Sequence, residues 1–279
     1  MVESPWCSHP RRAAALSERY PFAAELLALY RALLDVWESG WDLAREDRPP
    51  PRQLAGWAAE RVLPQVVKAT EAAGPEALGT TARQLVTADR LDDAFATWLA
   101  GGELAPVERY LARASLQPVL VALDAGAGPA CADDPAPRDD RHCPRCGGVP
   151  QLSFRSDAQD PLVSGQRNLA CSRCAQTWSY SGSACPSCGE TSGGHRTVYA
   201  ERHTGPVVGR DPGGPVDDPP VFPHLRVDAC TRCERYLIDV DVGRNPRAVP
   251  EVDELAAVPL DLYATERGLS KITPNLLGF

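Results

Sequence analysis

Lysine is nearly absent from this chain. Lys68 and Lys271 are the only two in 279 residues, and the 29 basic residues, almost all arginine, face 37 acidic ones for a net charge of -8. That balance excludes the broad basic face that draws nucleic-acid phosphate. Apolar runs of about 18 residues are also missing, which excludes an ordinary membrane-crossing helix. The start, MVESPWCSHPRRAAALSERYPF, has no apolar stretch leading to a small-residue cleavage site. Glu18, Arg19 and Pro21 interrupt the segment that a twin-arginine export signal on Arg11-Arg12 would need, so these arginines read as a charged helix start and the chain is predicted to be cytoplasmic. A Gly-rich phosphate loop, a nucleophile elbow and a His-plus-acid constellation are lacking too, and no enzyme motif is visible.

What is abundant is cysteine, ten in all. The cytoplasm keeps thiols reduced, so paired cysteines there point to metal rather than disulfides. Eight of them form four C-x-x-C pairs: CPRC from Cys143, CSRC from Cys171, CPSC from Cys185 and CTRC from Cys230.

The chain has length for two folded units. Residues 1–125 read as an all-helical N-terminal domain, 126–140 as a linker, 141–245 as a small β domain of tandem C-x-x-C ribbons, and 246–279 as a C-terminal helix and tail, an α+β fold class overall. In the first region Pro21 opens a helix striped by Phe22, Leu26, Leu29, Leu33 and Val36, with Gly40 as its expected end. Leu54 to Val67 predicts a second helix kinked at Pro64, Leu91 to Leu99 a third stopped by Gly101-Gly102, and Pro106 opens a fourth through Leu123. Such stripes are read as core. The stretch DAGAGPACADDPAPRDD, 124–140, is rich in Gly, Pro and Asp and marks the boundary.

Beyond Cys143 the helical period disappears. Residues 151–154, 177–180, 197–199 and 236–242 predict short strands, and the Pro/Gly-rich 204–223 predicts a solvated loop. Pro250 opens a last helix through Glu254, Leu255, Val258 and Leu262 to Gly268, bent at Pro259.

A C-x-x-C turn brings two sulfurs to one side of a tight loop, within the ~2.3 Å reach of one ion, and two turns complete a tetrahedron. Gly147 and Gly189, directly after the second cysteine of their pairs, can take the positive φ that turns backbone N–H groups toward sulfur. Two pairings are open. The sequential one puts Cys143, Cys146, Cys171 and Cys174 on one ion and Cys185, Cys188, Cys230 and Cys233 on another, across 24 and 41 residues (147–170 and 189–229). The nested one joins the two middle pairs across 10 residues and the outer pairs across 83. Loop entropy barely separates them, since a doubling of length costs only ~0.6 kcal/mol. The repeat favours the sequential pairing: CP-x-CG opens each half and C-[ST]-R-C closes it, followed by Trp178 in one and Tyr236 in the other.

Between Arg138 and Arg244 stand 13 Arg and 13 Asp plus Glu, so two filled four-thiolate sites would bring this region to about -4. Nucleic-acid recognition needs the opposite field. Closed four-cysteine sites are ordinarily structural zinc, and the same sulfur cage suits rubredoxin-like iron; spacing does not separate the metals. His142 and His195 are nearby alternatives, but each set is already full. Cys7 and Cys131 stand alone and read as ordinary thiols.

Together, CPRCGGVP, RNLACSRCAQTWSY with CPSCG, TVYAERH, VDACTRCERYL and the closing EVDELAAVPLDLYATERGLSKITPNLLGF resemble the FdhE family, the formate dehydrogenase accessory (formation) proteins. YPFAAELLALYRALLD and LARASLQPVLVAL are similar to its helical half. The resemblance implies a cytoplasmic, non-catalytic assembly factor with a helical N-terminal domain and a rubredoxin-like double ribbon. It implies association with the catalytic subunit of formate dehydrogenase, a link to iron, and the eight paired cysteines as metal ligands. The insertion before Cys230 is longer than the family pattern, and Pro259 falls inside the last helix. Two other classes are a rubredoxin-like redox carrier and a structural zinc-ribbon scaffold for another oxidoreductase.

Overall fold

The computed structural model describes residues 4–88, 91, 93–123, 139–155, 165–201 and 220–279. Most of the 124–140 stretch, Cys131 and most of the 204–223 insertion lie outside them. Nine helices occur among the described residues: α1 (His9–Arg19), α2 (Ala24–Asp47), α3 (Leu54–Arg61), α4 (Leu63–Ala73), α5 (Glu76–Thr87), α6 (Ala94–Ala100), α7 (Pro106–Ala122), α8 (Pro250–Leu255) and α9 (Val258–Glu266). Between α7 and α8 lie β1 (Pro150–Arg155), β2 (Arg167–Cys171), β3 (Thr177–Ser179), β4 (Arg196–Tyr199), β5 (Leu225–Cys230) and β6 (Arg235–Asp241), and β7 (Ser270–Lys271) closes the chain. The fold is α+β, as predicted, with a helical N-terminal region followed by a cysteine-bearing sheet.

Proline placement corrects the helix boundaries. Gly40 does not end its helix: α2 runs on to Asp47 and stops at Arg48, whose φ is 48°. A glycine inside a helix costs about 1 kcal/mol relative to alanine, and here close packing offsets it. A Cβ at residue 40 would stand 3.1 Å from Pro118 Cγ in α7. Pro118 lacks an N–H and so leaves the Ala114 carbonyl without its helical donor; the indole Nε1 of Trp37 donates to that carbonyl at 2.8 Å. The hydrogen bond missing from α7 at Pro118 and the glycine in α2 are thus two sides of one contact. Pro64 divides its segment into α3 and α4, jointed at Val62, instead of kinking it. Pro259 likewise sits in the first turn of α9 and splits the expected C-terminal helix in two. Gly101, φ 83°, ends α6 as foreseen.

The strands form one sheet in the order β3-β2-β1-β6-β5-β4, with β7 also pairing to β6. Strands β2 and β5 were not anticipated from sequence. Each ends on a cysteine, and their Arg167, Arg226 and Asp228 disguise the apolar alternation. Those charges are paired inside the fold: Arg167 and Arg196 both donate to Asp228. Each half has one plan, a cysteine turn, two antiparallel strands, a second turn and a third strand. The halves join in tandem where β1 runs parallel to β6, pairing Leu152 with Ile238 and Phe154 with Val240. Asp239, fully buried at this seam, accepts from Ser153, from Arg155 Nε at 3.2 Å and from Arg226 Nε at 2.7 Å. Phe222, near the end of the expected solvated loop, is buried against Tyr20 with ring centroids 4.9 Å apart, so that end of the insertion belongs to the core.

One apolar cluster passes from α1, α2 and α7 through Cys143, Cys146, Cys171 and Cys174 to β5, β6 and α8. Polar groups cross the same boundary. Arg113 of α7 donates to Gln151 of β1 and to the Pro274 carbonyl, Gln151 donates to Glu254 of α8, and Lys271 Nζ sits 2.6 Å from Glu254 and 3.1 Å from Asp261. On the other side Arg12 Nε donates to Asp253 at 2.8 Å, while His224 Nε2 lies 2.7 Å from the same carboxylate. Burial alone would raise the Asp253 carboxyl, but His224 and Arg12 outweigh it and hold it below the ordinary range.

Two predictions follow from this packing. Gly40→Leu drives a side chain into Pro118 and is expected to lower unfolding stability by about 1–3 kcal/mol, read as an earlier urea midpoint. The lowered Asp253 pKa contributes stability that is present above the ordinary carboxylate value and lost as pH falls through the lowered one. Asp253→Asn removes the buried carboxylate shared by the half-buried Arg12 and the buried His224, so it should cost about 1–3 kcal/mol at neutral pH and flatten the acid limb of a stability-against-pH curve.

Candidate metal centres

The sulfurs gather in the sequential arrangement. Those of Cys143, Cys146, Cys171 and Cys174 all lie within 4.8 Å of one another, and so do those of Cys185, Cys188, Cys230 and Cys233. In the first cage Cys146 and Cys171 are 3.4 Å apart and Cys143 and Cys174 3.7 Å; in the second, Cys185 to Cys233 and Cys188 to Cys230 are both 3.8 Å. A tetrahedron with bonds of ~2.3 Å has edges of about 3.8 Å, whereas a disulfide would hold its sulfurs at about 2.05 Å. The spacing matches four ligands around one ion and no covalent bridge.

All four turns are built alike. The residue after the second cysteine takes positive φ in each: Gly147 at 68°, Ala175 at 56°, Gly189 at 77° and Glu234 at 55°. Sequence reasoning foresaw this only at the glycines, because Cβ disfavours the conformation by roughly 1–2 kcal/mol. The turn demands it even where the residue resists. Its N–H closes onto the first cysteine's carbonyl, at 2.9 Å from Gly147 to Cys143 and 2.9 Å from Gly189 to Cys185. The chain then aims other N–H groups at sulfur, Arg173 to Cys171 Sγ and Ser187 to Cys185 Sγ, each at 3.4 Å.

Burial raises the Cys171 thiol well above its usual value and pushes Cys185 up to about 12. Four thiolates at these distances repel one another, so a central cation is what makes full deprotonation favourable. The donor set therefore fits a thiophilic ion of the zinc or iron kind. His142 and His195 lie outside both cages: His142 Nδ1 meets Asp139 at 2.7 Å and His195 Nδ1 meets Thr231 at 3.3 Å. Cys7 is exposed and belongs to neither cage.

The cages differ in setting. All four cysteines of the first are buried in the main core, whereas Cys188 and Cys233 of the second reach solvent. The arginine inside the turns, unassigned from sequence, explains the docking. Arg145 Nη2 donates to the Leu120 carbonyl at 2.6 Å, in the last turn of α7, and Arg173 Nη1 donates to Leu99 in the last turn of α6 and to Cys146, both at 3.2 Å. Cations at helix C-termini satisfy carbonyls that lack helical donors. Gly101 is needed for this approach as well, since a Cβ there would meet Arg173 Nη2 at 2.6 Å. In the second cage the matching Arg232 pairs with Glu190 at the surface. Arg141, just before the first turn, donates to Ser187 in the third at 3.0 Å and so ties the two cages together.

Gly148 was also missed. A Cβ there would lie 2.8 Å from Cys171 Sγ and 3.2 Å from Cys146 Sγ, so its role is space rather than backbone freedom; the doubled glycine of CPRCGG was its only sign. Gly148→Ala is expected to lower metal content by close to one ion per chain, measured by elemental analysis, with the second cage still filled.

No protein-family model matches the chain. It is 28% identical over 138 residues to a curated protein of Aquifex aeolicus named "Protein FdhE homolog" and 30% identical over 135 residues to one of the same name from Pseudomonas aeruginosa. The matched segments cover 50% and 48% of this chain but only 42% and 38% of those relatives. Its fold is similar to the crystal structure of the FdhE protein from Pseudomonas aeruginosa, with TM-score 0.61 and 23% identity over 98% of this chain and 95% of that one. At that identity the structural likeness is one of fold.

Proposed function

We propose that this chain, a member of the FdhE family, is a non-catalytic cytoplasmic accessory factor for formate dehydrogenase assembly, which binds the catalytic subunit and holds two metal ions. The observation that carries the reading is the pair of four-sulfur cages. Four protein ligands fill a tetrahedral ion, so neither cage offers an open position for water or substrate, and the metal serves architecture before chemistry. Cys143, Cys146, Cys171 and Cys174 hold one ion, and Cys185, Cys188, Cys230 and Cys233 the other, each of iron or zinc. The first cage, locked by Arg145 and Arg173 to the ends of α7 and α6, keeps the helical region in place against the sheet. The acidic balance of the chain argues for a protein partner over nucleic acid.

A second reading, a rubredoxin-like electron carrier, has support in the second cage, where Cys188 and Cys233 reach solvent. An iron ion there would exchange electrons at the surface without changing ligands. A colourless, zinc-only protein isolated anaerobically from its own host would count against it.

The test compares the tagged native chain with Cys230→Ser, both captured from anaerobically grown host cells. The native chain should carry close to two ions and bring down a formate dehydrogenase catalytic subunit. The variant should lose one ion, keep most of its helix signal and release the partner. A different oxidoreductase held by the native chain would move the function to the scaffold reading.

A further inference from the structure

The two cages share one geometry but not one degree of enclosure. Cys143, Cys146, Cys171 and Cys174 are between 0% and 4% exposed and lie inside the main apolar cluster. In the second cage enclosure alternates within each turn. Cys185 and Cys230, the first cysteines of their turns, are each 1% exposed, whereas Cys188 is exposed and Cys233 half-buried. The buried pair is fixed in the sheet: Cys230 ends β5 between Arg196 of β4 and Arg235 of β6, and the Cys185 carbonyl accepts from the Tyr180 hydroxyl at 3.0 Å. Each fixed sulfur faces an accessible one, Cys185 opposite Cys233 and Cys230 opposite Cys188, both at 3.8 Å.

A four-thiolate site has no vacant position, so an ion enters or leaves it only as an incoming donor displaces a sulfur. The first cage gives such a donor no approach unless helices part from sheet. Arg145 and Arg173 hold its turns to the ends of α7 and α6, and Gly148 stands where a Cβ would meet Cys171 Sγ at 2.8 Å. Opening there draws on the stability of the core. The repeat places Glu190 where the first half has Gly148, and its side chain turns outward to pair with Arg232. The second cage therefore has room at the position where the first has none. Displacing Cys188 moves one surface turn, at the low end of the scale of local opening, and leaves Cys185 and Cys230 in place as half of a preformed site.

We propose that the second cage is an exchange site, where a thiol or chelating ligand from solution enters at Cys188 to take up or deliver the ion, while the first cage keeps its own. The Cys188 sulfur leaves as the incoming donor bonds in its place. The half-buried Cys233 follows, then Cys230 and Cys185, and the freed thiolates take protons from solvent. No electron changes hands. The inference rests on the two cages being metal centres, and it is independent of the partner and of the choice between iron and zinc.

The experiment loads the full-length chain with zinc and chases it with isotopically enriched zinc carried by glutathione, followed by native mass spectrometry. One of the two ions should exchange at least about tenfold faster than the other. A second measurement locates it. After a pyridylazo chelator has withdrawn the fast ion, N-ethylmaleimide and peptide mapping should find label on Cys185, Cys188, Cys230 and Cys233 and none on Cys143, Cys146, Cys171 or Cys174. Cys188→Ser should hold one ion, and that one should exchange slowly. A single rate for both ions, label in the first cage once the fast ion has gone, or a fast ion retained by Cys188→Ser overturns the proposal while leaving the metal centres standing. A chain that takes up no zinc overturns the metal-centre reading and this inference together.

Discussion

The parallel pairing of β1 with β6 is the constraint on which the architecture depends. A ribbon half of three short strands has two edges, and an isolated small sheet is marginally stable in water. Joining the first strand of one half to the third strand of the other removes two of those edges and gives one sheet. The seam is polar as well as apolar, because Asp239 gathers Ser153, Arg155 and Arg226 around a fully buried carboxylate. A buried charge left without these donors would be costly, so they specify one alignment of the halves. Repetition of the plan in tandem, rather than about a two-fold axis, leaves the cages in unlike surroundings.

That inequality organises the rest of the molecule. The first cage faces the helices, and its turn arginines cap the ends of α6 and α7; the second cage repeats the geometry at the surface, and its turn arginine meets only Glu190. The C-terminal segment completes the join. Glu254 and Asp261 share Lys271, Gln151 links Glu254 to Arg113, and Tyr236 donates to Asp261 at 2.9 Å. These groups come from α7, both ribbon halves, α8, α9 and the tail, so the C-terminal elements act as part of the sheet's support. The near-absence of lysine makes the burial of Lys271 informative: its ammonium sits between two carboxylates in the interior, where the chain otherwise places arginine.

The local chemistry was legible in sequence because it is short-range. A C-x-x-C turn depends on a handful of consecutive residues, so Gly147 and Gly189 announced their positive φ, and the repeated CP-x-CG and C-[ST]-R-C announced which pairs belong together. Where a residue acts against a distant partner the signal failed. Gly40 reads as a helix stop until Pro118 stands beside it, and the Ala114 carbonyl that Pro118 leaves without a helical donor finds one only in Trp37. Strands β2 and β5 read as polar because Arg167 and Asp228 find each other only across the sheet.

Sequence by itself determined the class of the fold, the eight sulfur donors and the tandem repeat, since each is written in spacing within a turn or a half, and it favoured the sequential grouping that the sulfur positions then settled. Tertiary structure alone decided how the halves join, which cage is buried, and which arginine meets which helix end. Those outcomes rest on contacts between residues far apart in the chain, whose free energies depend on shared burial, and no local pattern encodes them.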